Sequence, residues 1–181
     1  MARLLVIVTT LASIAVSAAH AQAVWASVDG GTGPAKFSCR YSYCVPKPTG
    51  TAATVSLQAG ITAGARARWG VDVSRWRTAD VTLTNLSLAM RVMLHRTGFF
   101  VEGGLGYAWM KDDLNRYKSD GLAFLVGLGL QPAIGQHLSL GPFVTYRRSL
   151  LDPADQGTAP IGAPGWRVSL WVFGAAITVR S

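Results

Sequence analysis

The side chains that could do chemistry in this sequence are few. Charged residues make up 14% of the chain, with 3 His and 2 Cys. Arg91 and Glu102 lie symmetrically about Arg96-Thr97. If that dipeptide turns a hairpin, antiparallel pairing sets Arg91 opposite Glu102, Val92 opposite Val101 and Leu94 opposite Phe99. Opposite charges on one face predict an ion pair, and the functional alternative is a proton or ion path. Cys39 and Cys44 lie in "FSCRYSYCVP". In an exported chain an isolated pair reads as one disulfide, worth about 2 kcal/mol for so short a loop. Two thiolates without a nearby histidine are half a zinc site, so neither metal nor cofactor is expected. His95 and His137 are the histidines beyond the leader, and each could serve a hydrolytic Ser/His/carboxylate set.

The leader decides the compartment. Met1-Ala2-Arg3, an apolar run from Leu4 to Val16 and the ending "SAAHA" form a secretory signal peptide, residues 1–21, with cleavage expected after Ala21. Thr9, Thr10 and Ser13 interrupt the run, and it falls short of the roughly 20 residues of a spanning helix. Residues 22–181 have the length of one domain.

Composition narrows the class. The formal net charge is +8, but the basic residues are spread along the chain rather than gathered into a run, which argues against nucleic acid as a partner. Hydrophobic residues make up 50% of the chain and glycine contributes 20 residues, while charge is well below the roughly one quarter of soluble proteins. Past the leader no stretch is apolar for long enough to span as a helix, so the apolar excess has to sit in strands.

Eight segments of period-two alternation follow, near 22–30, 53–63, 65–76, 80–95, 99–111, 120–132, 136–148 and 165–179, bounded by Gly, Pro, Asp or Asn. Long links (31–52, 112–119, 149–164) and a moderate one near Arg77 alternate with tight ones at Gly64, Arg96-Thr97 and Ala133-Ile134-Gly135. Short periplasmic turns and longer external loops are the rhythm of an eight-stranded antiparallel up-and-down transmembrane β-barrel, an all-β fold with both termini in the periplasm.

The two faces of the strands separate this fold from a soluble sandwich. Leu86, Leu88, Met90, Val92 and Leu94 oppose Ser87, Ala89, Arg91 and Met93; Leu122, Phe124, Val126, Leu128 and Leu130 oppose Ala123, Leu125, Gly127, Gly129 and Gln131. In "FFVEGGLGYAWM" the large residues Phe99, Val101, Leu105, Tyr107 and Trp109 share one parity, and Glu102, Gly104 and Gly106 the other. A uniform apolar face with almost no charge belongs against lipid, and the small, sparsely charged face belongs in a narrow lumen. Gly103 falls on the lipid parity without an evident reason. Trp69, Phe99, Tyr107, Trp109, Tyr146 and Trp166 are candidates for the interfacial girdles. The last strand is ambiguous, because Arg167 and Ser169 share a parity with Trp171 and Phe173, and a bulge there is one explanation.

An eight-stranded lumen is filled by its own side chains, so a closed interior is expected. Arg66, Arg68, Asp72, Arg91, Glu102, Gln131 and Arg147 fall on its parity. Near the outer rim lie Lys36, Arg40, Lys47, Arg75, Arg77, Lys111, Arg116, Lys118, Arg147 and Arg148. Of these, Arg75, Arg77, Lys111, Arg147 and Arg148 are the candidates to neutralise lipopolysaccharide phosphates.

With these features the chain resembles the small outer-membrane β-barrel family, the OmpA/OmpX-like and "porin family" barrels. The signal ending "AHAQA", the cysteine pair, "FFVEGGLGYAWM" and "GLAFLVGLGLQPAIGQHLSLGPFVTYRR" carry the resemblance, which covers nearly all of the exported chain. It departs from the family in ending "AAITVRS" rather than in an aromatic residue. The resemblance implies an outer-membrane protein inserted by the barrel assembly machinery, with outer-membrane lipids and lipopolysaccharide as its surroundings. A non-enzymatic structural or surface-interaction role through the external loops is expected, with a lipid A-modifying enzyme or a small-solute pore as alternatives. For the enzyme, His95 and His137 are expected at the periplasmic edge, away from lipid A in the outer leaflet.

Overall fold

In a computed structural model, which describes residues 23–39, 50–64, 66–94, 98–113, 117–153 and 165–181, the chain is a closed β-barrel of eight strands in sequence order. These are β1 (Val24–Cys39), β2 (Gly50–Ala63), β3 (Ala67–Arg77), β4 (Val81–Met93), β5 (Phe99–Asp112), β6 (Tyr117–Leu130), β7 (Leu138–Pro153) and β8 (Trp166–Arg180). Each strand pairs antiparallel with its sequence neighbours, and β1 closes on β8. Closure removes the sheet edges, so the backbone polar groups of the wall are satisfied inside the wall, as a hydrocarbon surrounding requires.

Strand faces alternate as the sequence pattern requires. Val55, Leu57, Val71, Val73, Leu86, Leu88, Leu105, Leu122, Val126 and Ile177 point outward and are exposed, whereas the residues between them are buried in the lumen. A wall that presents its large aliphatics outward cannot be the outside of a soluble barrel, where burial would reverse the two faces.

Several strands run further than the alternation predicts. The first continues from residue 30 to Cys39 and the second begins at Gly50, so residues 31–39 and 50–52 of the predicted loop belong to the wall. "GGTGP" reads as a turn but is wall: Gly31 and Gly33 face the lumen, and the β1–β8 register lapses only at Gly33 and Pro34, where proline lacks its amide. The seventh strand reaches Pro153 instead of residue 148 and the sixth begins at Tyr117, which lengthens the outer ends of the wall. The last strand has no bulge. Leu138–Leu151 pair one for one with Val179–Trp166. Trp171 and Phe173 face outward with Arg167, while Trp166, Val168, Leu170 and Val172 face inward. Both parities are apolar there because the outer part of the lumen is apolar as well.

Candidate functional site: a locked lumen and a cationic outer wall

The lumen is layered. Its outer part is a hydrophobic core that includes Phe37, Trp76, Leu83, Met110, Trp166 and Leu170. Toward the short-turn end lies a polar network centred on Arg91, which is 2% exposed and reaches the lumen from β4. Across the hairpin register Arg91 faces Glu102. Its Nε and Nη2 donate to Glu102 Oε2 at 3.2 and 2.9 Å. Nη1 donates to Gln131 Oε1 at 3.0 Å and Nη2 also to Gln58 Oε1 at 2.7 Å. The guanidinium lies 4.2 Å from the ring centre of Phe100 and 5.4 Å from that of Trp25, close enough for cation–π attraction.

A second ion pair crosses the barrel. Arg147 Nη1 and Nη2 donate to Asp72 Oδ1 and Oδ2 at 2.6 and 3.1 Å, a bidentate pairing of β7 with β3. Gln58 Nε2 donates to Asp72 Oδ2 at 3.0 Å and so joins the two pairs. Asp29 accepts from Ser27 and Ser56, with Arg91 Nη2 3.9 Å away. Gln131 Nε2 donates to Thr178 Oγ1 at 2.9 Å, and Thr178 donates to Ser27 Oγ at 3.0 Å. Sequence reasoning did not single out Asp29, Gln58, Ser27, Ser56 or Thr178. The signal was present for the first two, since Asp29 shares the parity of Trp25 and Ser27, and Gln58 that of Ser56.

Other expectations need correction. Arg147 is buried in the lumen at 4% exposure, so it cannot contact lipid at the rim; one residue decides this, because Arg148 beside it points outward. Arg66 is exposed in the β2–β3 turn instead of lining the lumen. Trp166 is 6% exposed and fills the lumen, so it is not a girdle residue, whereas Trp171 is outward and packs on Tyr146 with ring centres 4.9 Å apart. The expected Cys39–Cys44 disulfide, the 1–21 leader, the Arg96-Thr97 turn, His95, Arg40, Lys47 and Arg116 fall outside what the structure describes. His137 is exposed beside β8, its Nδ1 3.0 Å from Arg180 O.

The rim candidates divide into two walls. Across β3, β4, β5 and β6 the register places Arg77, Thr82, Lys111 and Lys118 on one rung, with Arg75, Thr84, Trp109 and Asp120 on the next outward-facing rung. Together they line one open groove on the outside of the barrel. On the other wall Arg148, Ser169 and Lys36 share a rung across β7, β8 and β1, with Arg167 exposed nearby. Beside the first groove Tyr107 donates its hydroxyl to Asp120 and packs edge-on against Trp109, with centroids 5.2 Å apart. Lys111 Nζ lies 2.5 Å from Asp113 Oδ1. That hydrogen bond, with the charges of Lys111 and Arg77, holds the Asp113 carboxyl below the usual carboxylate range.

An apolar exterior, an interior that carries the buried charges and closed antiparallel pairing define the class: a transmembrane β-barrel of the outer-membrane type. No protein-family model and no curated protein matches the sequence. Solved structures do share the fold. Neisserial surface protein A is 15% identical with a TM-score of 0.62, covering 87% of this chain and 97% of its own. The outer membrane protein AlkL, solved in lipid bilayers, is 13% identical with a TM-score of 0.58 and coverages of 88% and 90%. The N-terminal β-barrel domain of Pseudomonas aeruginosa OprF is 9% identical with a TM-score of 0.53 and coverages of 87% and 97%.

Proposed function

We propose that this chain is a non-enzymatic integral outer-membrane protein with a sealed lumen, whose outer wall holds lipopolysaccharide by its phosphates. The rung Arg77–Thr82–Lys111–Lys118 carries the reading. Neighbouring strands are about 4.8 Å apart, so three cations and a hydroxyl stand in a row on the lipid side of the barrel. A lone surface cation is weak, but a row can share anionic oxygens through several charge-assisted hydrogen bonds. Trp109, on the next rung, supplies an interfacial ring beside them. Sealing is supported by the network below and the hydrophobic core above, which fill an interior of eight-strand width. The lipid A-modifying alternative has no comparable support, since His137 lies at the short-turn end. Delivery by the barrel assembly machinery accords with the fold.

The test is lipopolysaccharide binding by the refolded protein. Combining Arg77→Gln, Lys111→Gln and Lys118→Gln is expected to weaken it by about tenfold, from three contacts each worth a few tenths of a kcal/mol. Arg148→Gln on the other wall serves as a comparison and is expected to act less. Wild-type affinity in the triple variant would remove the rim reading.

Asp113 competes with the anion for Lys111. Asp113→Asn should therefore raise affinity at neutral pH by about twofold. Because the Asp113 pKa is lowered, its pairing is intact above the usual carboxylate range and is lost only as pH falls through the depressed value. The wild-type affinity should approach that of the variant only in acid, which a binding titration against pH would check.

A further inference from the structure

Beyond the Arg68–Arg91–Glu102 rung, the described residues of the short-turn end include basic side chains and no acidic ones. Of the described residues at this end, 23–25, 61–64, 66–68, 91–94, 98–100, 130–139 and 178–181 include no Asp or Glu, and the first acid reached is Glu102, on the Arg68–Arg91 rung. Two of its arginines matter here besides Arg91, whose guanidinium is already engaged by Glu102, Gln131 and Gln58.

Arg68 is different. It is 6% exposed, sits on the lumen side of β3 and has Arg91 as its register partner on β4. Its Nη1 is buried with no hydrogen-bond partner, and none of the ion pairs among the described residues includes it. Both Arg91 and Arg180 repel it electrostatically. On its other side the register partner is Thr62 of β2, which contributes a hydroxyl and no charge. A buried guanidinium held among like charges, with a donor unused, is costly unless something accepts its hydrogens. The acids of the lumen do not meet that need: Glu102 and Asp72 are bound by Arg91 and Arg147, Asp29 by its serines, and Asp112 lies at the opposite end of β5.

We infer that the periplasmic mouth of the lumen is an oxyanion site in which Arg68, with Arg180 at its edge and Thr62 beside it, binds a phosphate group. The guanidinium fork suits a tetrahedral oxyanion, and the carboxylate on its rung, Glu102, is already held by Arg91. The phosphate has two possible sources, the headgroup of an anionic phospholipid in the inner leaflet or a free phosphate of the periplasm. This site does not depend on the outer-wall reading, because it occupies the opposite end of the barrel and uses different residues.

The experiment uses the refolded mature chain in two settings. In zwitterionic micelles free of phospholipid, inorganic phosphate is titrated. In nanodiscs of phosphatidylcholine with and without phosphatidylglycerol, native mass spectrometry counts retained lipid. Saturable binding of one inorganic phosphate identifies a soluble ligand, and selective retention of phosphatidylglycerol alone identifies a headgroup; either supports the site. Arg68→Gln should weaken the binding by about tenfold or more, as loss of a charge-assisted contact predicts. Arg66→Gln, exposed in the adjoining turn, should leave it unchanged. Arginine-selective 15N labelling of the wild-type chain gives a readout free of any folding defect: one guanidinium resonance should move as phosphate or phosphatidylglycerol is added. Failure of both probes to bind, wild-type affinity in Arg68→Gln, or an unmoved guanidinium set, as an ordered water at Nη1 would give, overturns the inference.

Discussion

Arg91→Ala is expected to destabilise the refolded barrel by about 3–5 kcal/mol, the cost of stripping one partner from a buried ion pair. The loss exceeds that of a single contact because Glu102, Gln58 and Gln131 all accept from this one side chain. Urea unfolding followed by heat-modifiable gel mobility measures it. The double variant Arg91→Met with Glu102→Leu should lose less than Arg91→Ala, since no charge is then left alone in the lumen. Conductance should behave differently from stability. Both wild type and Arg91→Ala are expected to be silent in a planar bilayer, because the hydrophobic core around Trp76, Trp166 and Leu170 still closes the outer part of the lumen. A steady wild-type current would contradict the proposed seal.

The second large effect comes from one methyl group. A Cβ on Gly106 would stand 1.9 Å from Leu86 O and 2.5 Å from Ser87 Cα, backbone atoms of the paired strand that cannot yield without opening the β4–β5 ladder. Gly106→Ala is therefore expected to cost at least about 3 kcal/mol, at the upper end of overpacking penalties. Gly103→Ala, three residues away on the same strand, should stay within about 0.5 kcal/mol. A Cβ there meets nothing nearer than Leu125 O at 3.9 Å, so sterics do not demand glycine at 103. Comparable unfolding midpoints for the two alanine variants would show that the close approach of β4 to β5 is not what fixes Gly106.

Much of the fold could be read from parity alone. Eight strands, alternating link lengths and the Arg91-to-Glu102 register follow from period two, because a slip of one residue would put Leu86 and Leu88 of β4 into the lumen and Arg91 into lipid. Parity failed where its two sides look alike. The upper lumen is as apolar as the exterior, so Trp166 and Trp171 could not be sorted until β7 paired with β8. Arg147 and Arg148 show the opposite difficulty. Adjacent and chemically identical, they differ only in direction, and one locks the barrel while the other faces outward. The outer groove was half legible: its basic residues stand out singly, but their row depends on register summed over four strands, which no local pattern encodes. Arg68 was placed in the lumen by parity, yet its lack of a partner depends on where every acid lies.

The lumen bonds also bear on how the barrel comes together. Arg147 and Asp72 join β7 to β3, Arg91 and Gln58 join β4 to β2, and Thr178 with Ser27 spans the seam between the last strand and the first. A curled but open sheet lacks the seam contact and holds the cross-lumen partners too far apart, leaving charges facing hydrocarbon or trapped water without relief. The Arg91–Glu102 pair lies within one hairpin, but the cross-lumen and seam contacts arrive only as the sheet closes. Closure is thereby favoured over partially zipped species, which keep the cost of the lumen charges without these contacts.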